Sequence, residues 1–314
     1  MGVISCKFSV RAMCAGGGSC QGAQAFQAVR GEVFGSFQLC KVPSAWQKRE
    51  TVETGTLHLS QPSFLETGGE RIAYLKRNGS GPGLVWLGGW RSDMQGSKAA
   101  HLDGLAERQE FPLLRFDYSG HGQSSGHWSD GTISKWVAES MAVLRHAAPD
   151  TCVLVGSSMG AWVTLRLLAE LQKAGEADRI KGLVLIAPAP DFAMELIEPK
   201  LTDKERSDLE TQGWFEEPSD YLAEPNRWSK AFLDDGRANR VLTGIIDTHC
   251  PAHIIQGMKD EDVPHTHALK LVSQLPSDRV TLTLVPYGDH RLSRPEDLAL
   301  LERTVLDMMA EYRA

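Results

Sequence analysis

Residues 151–168, TCVLVGSSMGAWVTLRLL, open on the apolar run Val153-Leu154-Val155, break at Gly156-Ser157-Ser158-Met159-Gly160, and resume with helical spacing at Trp162, Leu165 and Leu168. The pattern is strand, abrupt turn, helix. The turn spells G-x-S-x-G with Ser158 at its centre. Lifting a serine hydroxyl clear of a sheet needs a strained backbone at that residue, and side chains two positions either way would collide. Gly156 and Gly160 remove them. Met159 opens the helix, so its backbone N–H has no partner within the helix and is free to face a developing oxyanion.

On either side of this turn the chain alternates strands and helices. Strands are expected over 71–75, 84–87, 112–116, 181–187, 253–256 and 280–285, and a short alternating stretch at 56–59. Helices are expected over 101–108, along the face marked by Ile133, Trp136, Val137, Met141 and Leu144, and over 264–275 and 295–312, where Pro295 suits a first turn. Such alternation predicts an α/β fold, a mostly parallel doubly wound sheet with helices on both faces. Residues 190–246 interrupt it with charged helical stretches, 203–211 among them, and the aromatics Trp214, Phe215, Trp228 and Phe232. Inserted between two strands, this segment is expected to form a small helical cap over the strands' carboxyl ends, where open α/β sheets bind ligands. Trp214, Phe215 and Trp228 are the expected pocket wall.

A serine alone is a poor nucleophile and needs a histidine base held by a carboxylate. The expected chain order is Ser, then acid, then His, each on a loop after a strand. The strand at 253–256 is followed by Gly257-Met258-Lys259-Asp260-Glu261-Asp262-Val263-Pro264, and the strand at 280–285 by Pro286-Tyr287-Gly288-Asp289-His290. The candidate triad is therefore Ser158, Asp260 and His290, with Glu261 and Asp262 as neighbours able to replace Asp260 in another register. Asp289 reads as a loop-structuring residue. The turn Gly88-Gly89-Trp90 after the strand at 84–87 supplies the second candidate oxyanion donor, the Trp90 N–H, beside that of Met159.

With 314 residues, 42% of them hydrophobic, the chain can bury a sizeable core. Its net charge of −7 argues against a nucleic-acid partner, and no apolar run reaches transmembrane length. No cofactor and no metal site is expected. His249, Cys250, His253, His265 and His267 do not compose a compact ligand set, and the elbow lacks the lysine of a phosphate loop. Four of the six cysteines lie in the first 40 residues, which is no disulfide framework for the body and points to a reducing compartment. Residues 1–55 show no sustained period and read as a disordered or poorly packed extension before a domain over 56–314. Their start is basic yet has neither a serine-rich amphipathic arginine helix nor an apolar signal core. The expected location is cytoplasmic, with the mitochondrion as the alternative.

Taken together, Phe116-Asp117-Tyr118-Ser119-Gly120, the elbow from Val155 to Trp162, Gly257-Met258-Lys259-Asp260 with Val263-Pro264, and Asp289-His290-Arg291 resemble the α/β-hydrolase family of animal mitochondrial palmitoyl-protein thioesterases, also described as acyl-glucuronide esterases, and its bacterial relatives. The resemblance runs from Arg71 to the C-terminus. It implies Ser158 as nucleophile, Asp260 as acid and His290 as base, and a small-molecule acyl ester or thioester, or an S-acylated protein, as substrate. Two departures stand out: Gly88-Gly89-Trp90 replaces the usual Pro-Gly-aromatic turn, and residues 1–55 have no counterpart. The expected activity is serine esterase or thioesterase chemistry. The rivals are a carbon–carbon bond hydrolase or a perhydrolase with the same triad, and a non-catalytic module that holds a hydrophobic ligand.

Overall fold

Eight strands form the central sheet of the computed structural model, which describes residues 61–219, 223–275 and 279–312. The extension expected over 1–55 and the strand expected at 56–59 lie outside the described residues. In chain order the elements are β1 (Ser63–Thr67), β2 (Glu70–Arg77), β3 (Gly83–Leu87), α1 (Ser97–Gln109), β4 (Leu113–Phe116), α2 (Ile133–Ala147), β5 (Cys152–Ser157), α3 (Met159–Lys173) and β6 (Ile180–Ile186). They continue as α4 (Asp203–Thr211), β7 (Trp214–Glu217), β8 (Asn226–Ser229), α5 (Lys230–Ala238), β9 (Ala252–Gly257), α6 (His265–Ser273), β10 (Val280–Val285) and α7 (Pro295–Ala310).

The large sheet has the order β1-β2-β4-β3-β5-β6-β9-β10, and β7 pairs with β8 in a separate hairpin. Only the pairings of β2 are antiparallel within the large sheet. Parallel strands are covered on both faces and so read as unbroken apolar runs; every residue of β3 and of β5 is buried. The alternation of β5 divides the core between the faces. Cys152 and Leu154 pack with Trp136 and Val143 of α2 and Leu167 and Leu171 of α3, whereas Val153 and Val155 pack with Leu102 and Leu105 of α1 and Leu301 and Val305 of α7.

The winding reverses at β3, which lies between β4 and β5. That reversal opens a crevice at the carboxyl ends of β3 and β5. Leu87 is in register with Gly156, so Gly88-Gly89-Trp90 leaves the sheet beside Ser157-Ser158. Val285 is likewise in register with Gly257, and the loops after β9 and β10 start side by side.

Three elements differ from the sequence expectation. β1 is an exposed edge strand joined to β2 by Gly68-Gly69, both at positive φ, the two-residue turn that suits a twisted hairpin. The segment between β6 and β9 contains the β7–β8 hairpin as well as the helices α4 and α5. A turn of π-helix at Ala193–Ile197 leads into it. Its base is fastened by buried Asp191, whose carboxylate accepts the N–H groups of Val241 (2.9 Å) and Leu242 (2.8 Å) from the other end of the segment. Among the described residues no helix is long and apolar enough to cross a membrane.

Candidate active site

Ser158 sits between β5 and α3 with φ 54° and ψ −119°, a left-handed conformation that side chains rarely adopt. Neighbouring backbone holds it there. Its N–H donates to the Ile186 carbonyl at 2.9 Å, and its own carbonyl accepts from Ala161 and Ala189. Both flanking glycines are required by contact: a Cβ on Gly156 would lie 2.5 Å from Thr164 Oγ1, and one on Gly160 would overlap the Leu87 and Gly88 carbonyls. The steric reading of the elbow thus applies to this backbone.

His290 Nε2 lies 2.9 Å from Ser158 Oγ, and His290 Nδ1 lies 2.9 Å from Asp260 Oδ2. Asp260 is buried and its orientation is over-determined. Oδ1 accepts the N–H groups of Asp262 (3.1 Å) and Val263 (2.8 Å), while Oδ2 also accepts from Gln256 Nε2 at 3.0 Å. The two loops are laced together by the Met258 N–H on Val285 and the Lys259 N–H on Gly288, and Gly257 leaves room for the Gly288 and Asp289 carbonyls. Asp289 accepts the Leu292 N–H, which shapes the His290 loop. Hydroxyl, imidazole and carboxylate in one hydrogen-bonded line let the ring take the hydroxyl proton as the oxygen attacks.

Trp90 and Met159 flank Ser158 from the two adjoining turns. A Cβ on Gly89 would lie 3.3 Å from Ser158 Cβ, so the backbone before Trp90 passes close to the hydroxyl. Among the described residues neither N–H donates a backbone hydrogen bond. The Trp90 ring stacks on Trp228 with centroids 4.6 Å apart, and its Nε1 donates to Asn226 Oδ1 at 3.1 Å.

A cavity of about 580 Å³ opens onto Ser158 and His290. Phe215 and Trp228 line it, together with Trp90, Phe192, Leu196 and Ile197. Trp214 does not line it. Neighbouring residues of a strand point to opposite faces, so Phe215 faces inward while Trp214 lies beneath the Arg227 guanidinium at 4.2 Å on the outer face of the hairpin. The polar rim includes Lys98, whose pKa burial brings down to about 8, and whose Nζ donates to the Arg291 carbonyl at 2.5 Å.

The histidines considered as metal ligands are dispersed: His253 pairs with Thr283 Oγ1, and His267 Nε2 lies 2.7 Å from the Pro190 carbonyl. Among the described residues, Asp260, Asp262 and His290 have potential ligand atoms within 4.8 Å of one another, but both His290 nitrogens face Ser158 and Asp260. Two contributors escaped the sequence reading. Gln256, an amide that follows Ile254-Ile255 near the end of β9, holds the Asp260 carboxylate in place. His121, in the Gly120-His121-Gly122 turn after β4, accepts the Arg91 N–H at 3.1 Å through Nε2 and donates from Nδ1 to the Ser119 carbonyl at 3.1 Å.

The α/β-hydrolase family model matches residues 80–299, which span every one of these groups. The chain belongs to the α/β-hydrolase family. It is 30% identical over 272 residues to the mouse mitochondrial palmitoyl-protein thioesterase ABHD10, covering 86% of this chain and 88% of that protein. The human protein of the same name is 28% identical over 278 residues, 87% of each chain. Among solved structures, a putative hydrolase from Agrobacterium vitis S4 is 52% identical, with a TM-score of 0.76 over 79% of this chain and 98% of that one. The structure of mouse ABHD10 superposes with a TM-score of 0.73 at 29% identity, over 80% and 99%. The fold and the family resemblance read from the motifs are borne out by these matches, and the protein is a hydrolase.

Proposed function

We propose that this hydrolase cleaves acyl thioesters or oxyesters through an acyl-enzyme on Ser158. The observation that carries the reading is the unbroken line Asp260–His290–Ser158 at the floor of a cavity with an aromatic and aliphatic wall. Ser158 Oγ attacks the acyl carbonyl while His290 Nε2 removes its proton. Asp260 keeps the other ring proton on Nδ1 and stabilises the imidazolium. The N–H groups of Trp90 and Met159 hold the tetrahedral oxyanion; each such donor is worth roughly a hundredfold to a thousandfold in rate. His290 then returns the proton to the departing thiol or alcohol, and water repeats the cycle to release the acid. No step calls for a cofactor.

The segment over 190–246 acts as the cap of this site and bounds the acyl group with Phe192, Phe215 and Trp228. The thioesterase name of the mammalian relatives supports an S-acyl protein or small acyl thioester as substrate. Their mitochondrial designation agrees with the mitochondrial alternative rather than with a cytoplasmic location.

The test is kcat/KM for an S-acyl peptide and an oxyester of the same medium-length acyl group, with Ser158→Ala as blank. A Ser158-dependent preference for the thioester supports deacylation of proteins or thiol carriers. Equal or reversed preference leaves an oxyesterase, and no turnover of either overturns the reading.

A further inference from the structure

The turn that carries the Trp90 N–H is strained and is gripped from two sides. Arg91, immediately after Trp90, has φ 51°, a region that non-glycine residues leave unless their surroundings forbid it. From the body of the fold, the buried His121 ring accepts the Arg91 N–H at 3.1 Å. That contact follows from topology, because β4 lies beside β3 and the loop after one meets the turn after the other. His121 is itself fixed by Nδ1 on the Ser119 carbonyl. The same carbonyl accepts Trp136 Nε1, and the Ser119 N–H donates to Glu139. Burial, reinforced by the Arg91 charge, lowers the His121 pKa to about 4, so its Nε2 is an acceptor at neutral pH.

From the insertion, the Arg91 guanidinium donates to the carbonyls of Glu224 (3.1 Å) and Pro225 (2.9 Å) and to the Glu224 carboxylate (3.0 Å), and it lies 4.3 Å from the Trp128 ring. Next to it, Asn226 and Trp228 of β8 take the indole N–H and the ring face of Trp90. Neither residue of the turn is free to rotate without breaking contacts to the body or to the hairpin.

We propose that His121 and Arg91 are positioning residues of the oxyanion hole: His121 anchors the turn to the body, Arg91 anchors it to the β7–β8 hairpin, and the insertion is thereby coupled to the aim of the Trp90 N–H. The inference rests on the acyl-enzyme reading. It gives the insertion a second task beside bounding the acyl group, since loosening the hairpin would misalign a donor needed only when the oxyanion forms. Its mark is loss in kcat rather than in KM, because the ground-state carbonyl makes less use of that donor.

The decisive comparison is His121→Met with His121→Gln, two side chains of similar size of which only glutamine offers an acceptor to the Arg91 N–H. His121 does not line the cavity, so neither change touches substrate. H121M is expected to lower kcat by roughly tenfold to a hundredfold, a part of what outright removal of a donor costs, with KM within about threefold. It should weaken a trifluoromethyl ketone, which forms the tetrahedral oxyanion adduct, by the same factor. H121Q should regain most of the lost kcat. Arg91→Gly is the second variant, since glycine accepts φ 51° without strain while the grip on the hairpin is lost; it should show the same fall in kcat, and because the Arg91 side chain also lines the cavity its KM is not part of the readout. Equal kcat in H121M and H121Q, or an H121M loss carried by KM, overturns the inference. Turnover that survives in Ser158→Ala overturns the acyl-enzyme reading instead, and the two failures are distinct.

Discussion

Asp260→Asn offers the sharpest view of the acid's role, because the surroundings dictate how the amide must sit. Oδ1 of Asp260 accepts two backbone N–H groups, from Asp262 and Val263, and only an oxygen fits there. The asparagine NH₂ is therefore forced toward His290 Nδ1 and Gln256 Nε2, the two partners of Oδ2. Facing a donor, His290 must present Nδ1 as an acceptor and place its proton on Nε2, toward Ser158. The ring then no longer accepts the serine proton. An equivalent tautomer reversal in a Ser-His-Asp protease lowers kcat about ten-thousandfold, close to 5 kcal/mol of transition-state stabilisation. The new contact with Gln256 sets two donors against each other and costs about 1–3 kcal/mol of stability. Activity and thermal unfolding are therefore measured on the same preparation, with Asp262→Asn as control. D260N is expected to stay folded at 25 °C with kcat down by three to four orders of magnitude, and D262N to remain within about threefold. A D260N enzyme within tenfold of the parent, or a larger loss in D262N, would refute the assignment of the acid.

Other consequences follow from burial and strand geometry. The His121 pKa is lowered to about 4, chiefly by burial and further by Arg91, so below pH 6.5 the unfolded chain binds a proton that the folded one refuses. Stability rises with pH across that window, and bringing the protein from pH 7 to about 4 costs on the order of 3 kcal/mol through this group; H121Q should show a correspondingly smaller acid-induced fall in Tm. Asp191→Asn removes one of the two acceptor oxygens that fasten the insertion, and is expected to lower stability by about 1–3 kcal/mol, read by denaturant unfolding. Phe215→Ala should change the acyl-chain-length profile of kcat/KM while Trp214→Ala leaves it unaltered, since only Phe215 faces the cavity.

Much of the site was legible because its residues are punctuated by glycine and placed by strand ends. Gly156 and Gly160 mark a serine that needs both neighbours bare, and the buried runs of β5 and β9, with the half-buried run of Val, Thr and Leu in β10, locate the loops that carry Ser158, Asp260 and His290. The hairpin in the insertion was harder to read. β7 and β8 are four residues each, too short for periodicity to separate them from the charged helices nearby, and Trp214 and Phe215 look alike until the strand assigns them opposite faces. β1 was missed because it is an exposed edge with little apolar content, although Gly68-Gly69 marked its turn. The contacts of His121 and Arg91 are long-range. Arg91 meets Glu224 across 133 residues, a pairing that only the return of the chain over the sheet creates.

The most direct test of the account is covalent. A fluorophosphonate, or a slowly deacylated thioester quenched in acid, is reacted with the protein, and the adduct is located by peptide mass spectrometry. The account predicts a single adduct on the Ser158 hydroxyl, abolished in Ser158→Ala and strongly slowed in His290→Ala. An unlabelled wild-type protein, or labelling that persists on another residue in Ser158→Ala while turnover continues, would contradict it.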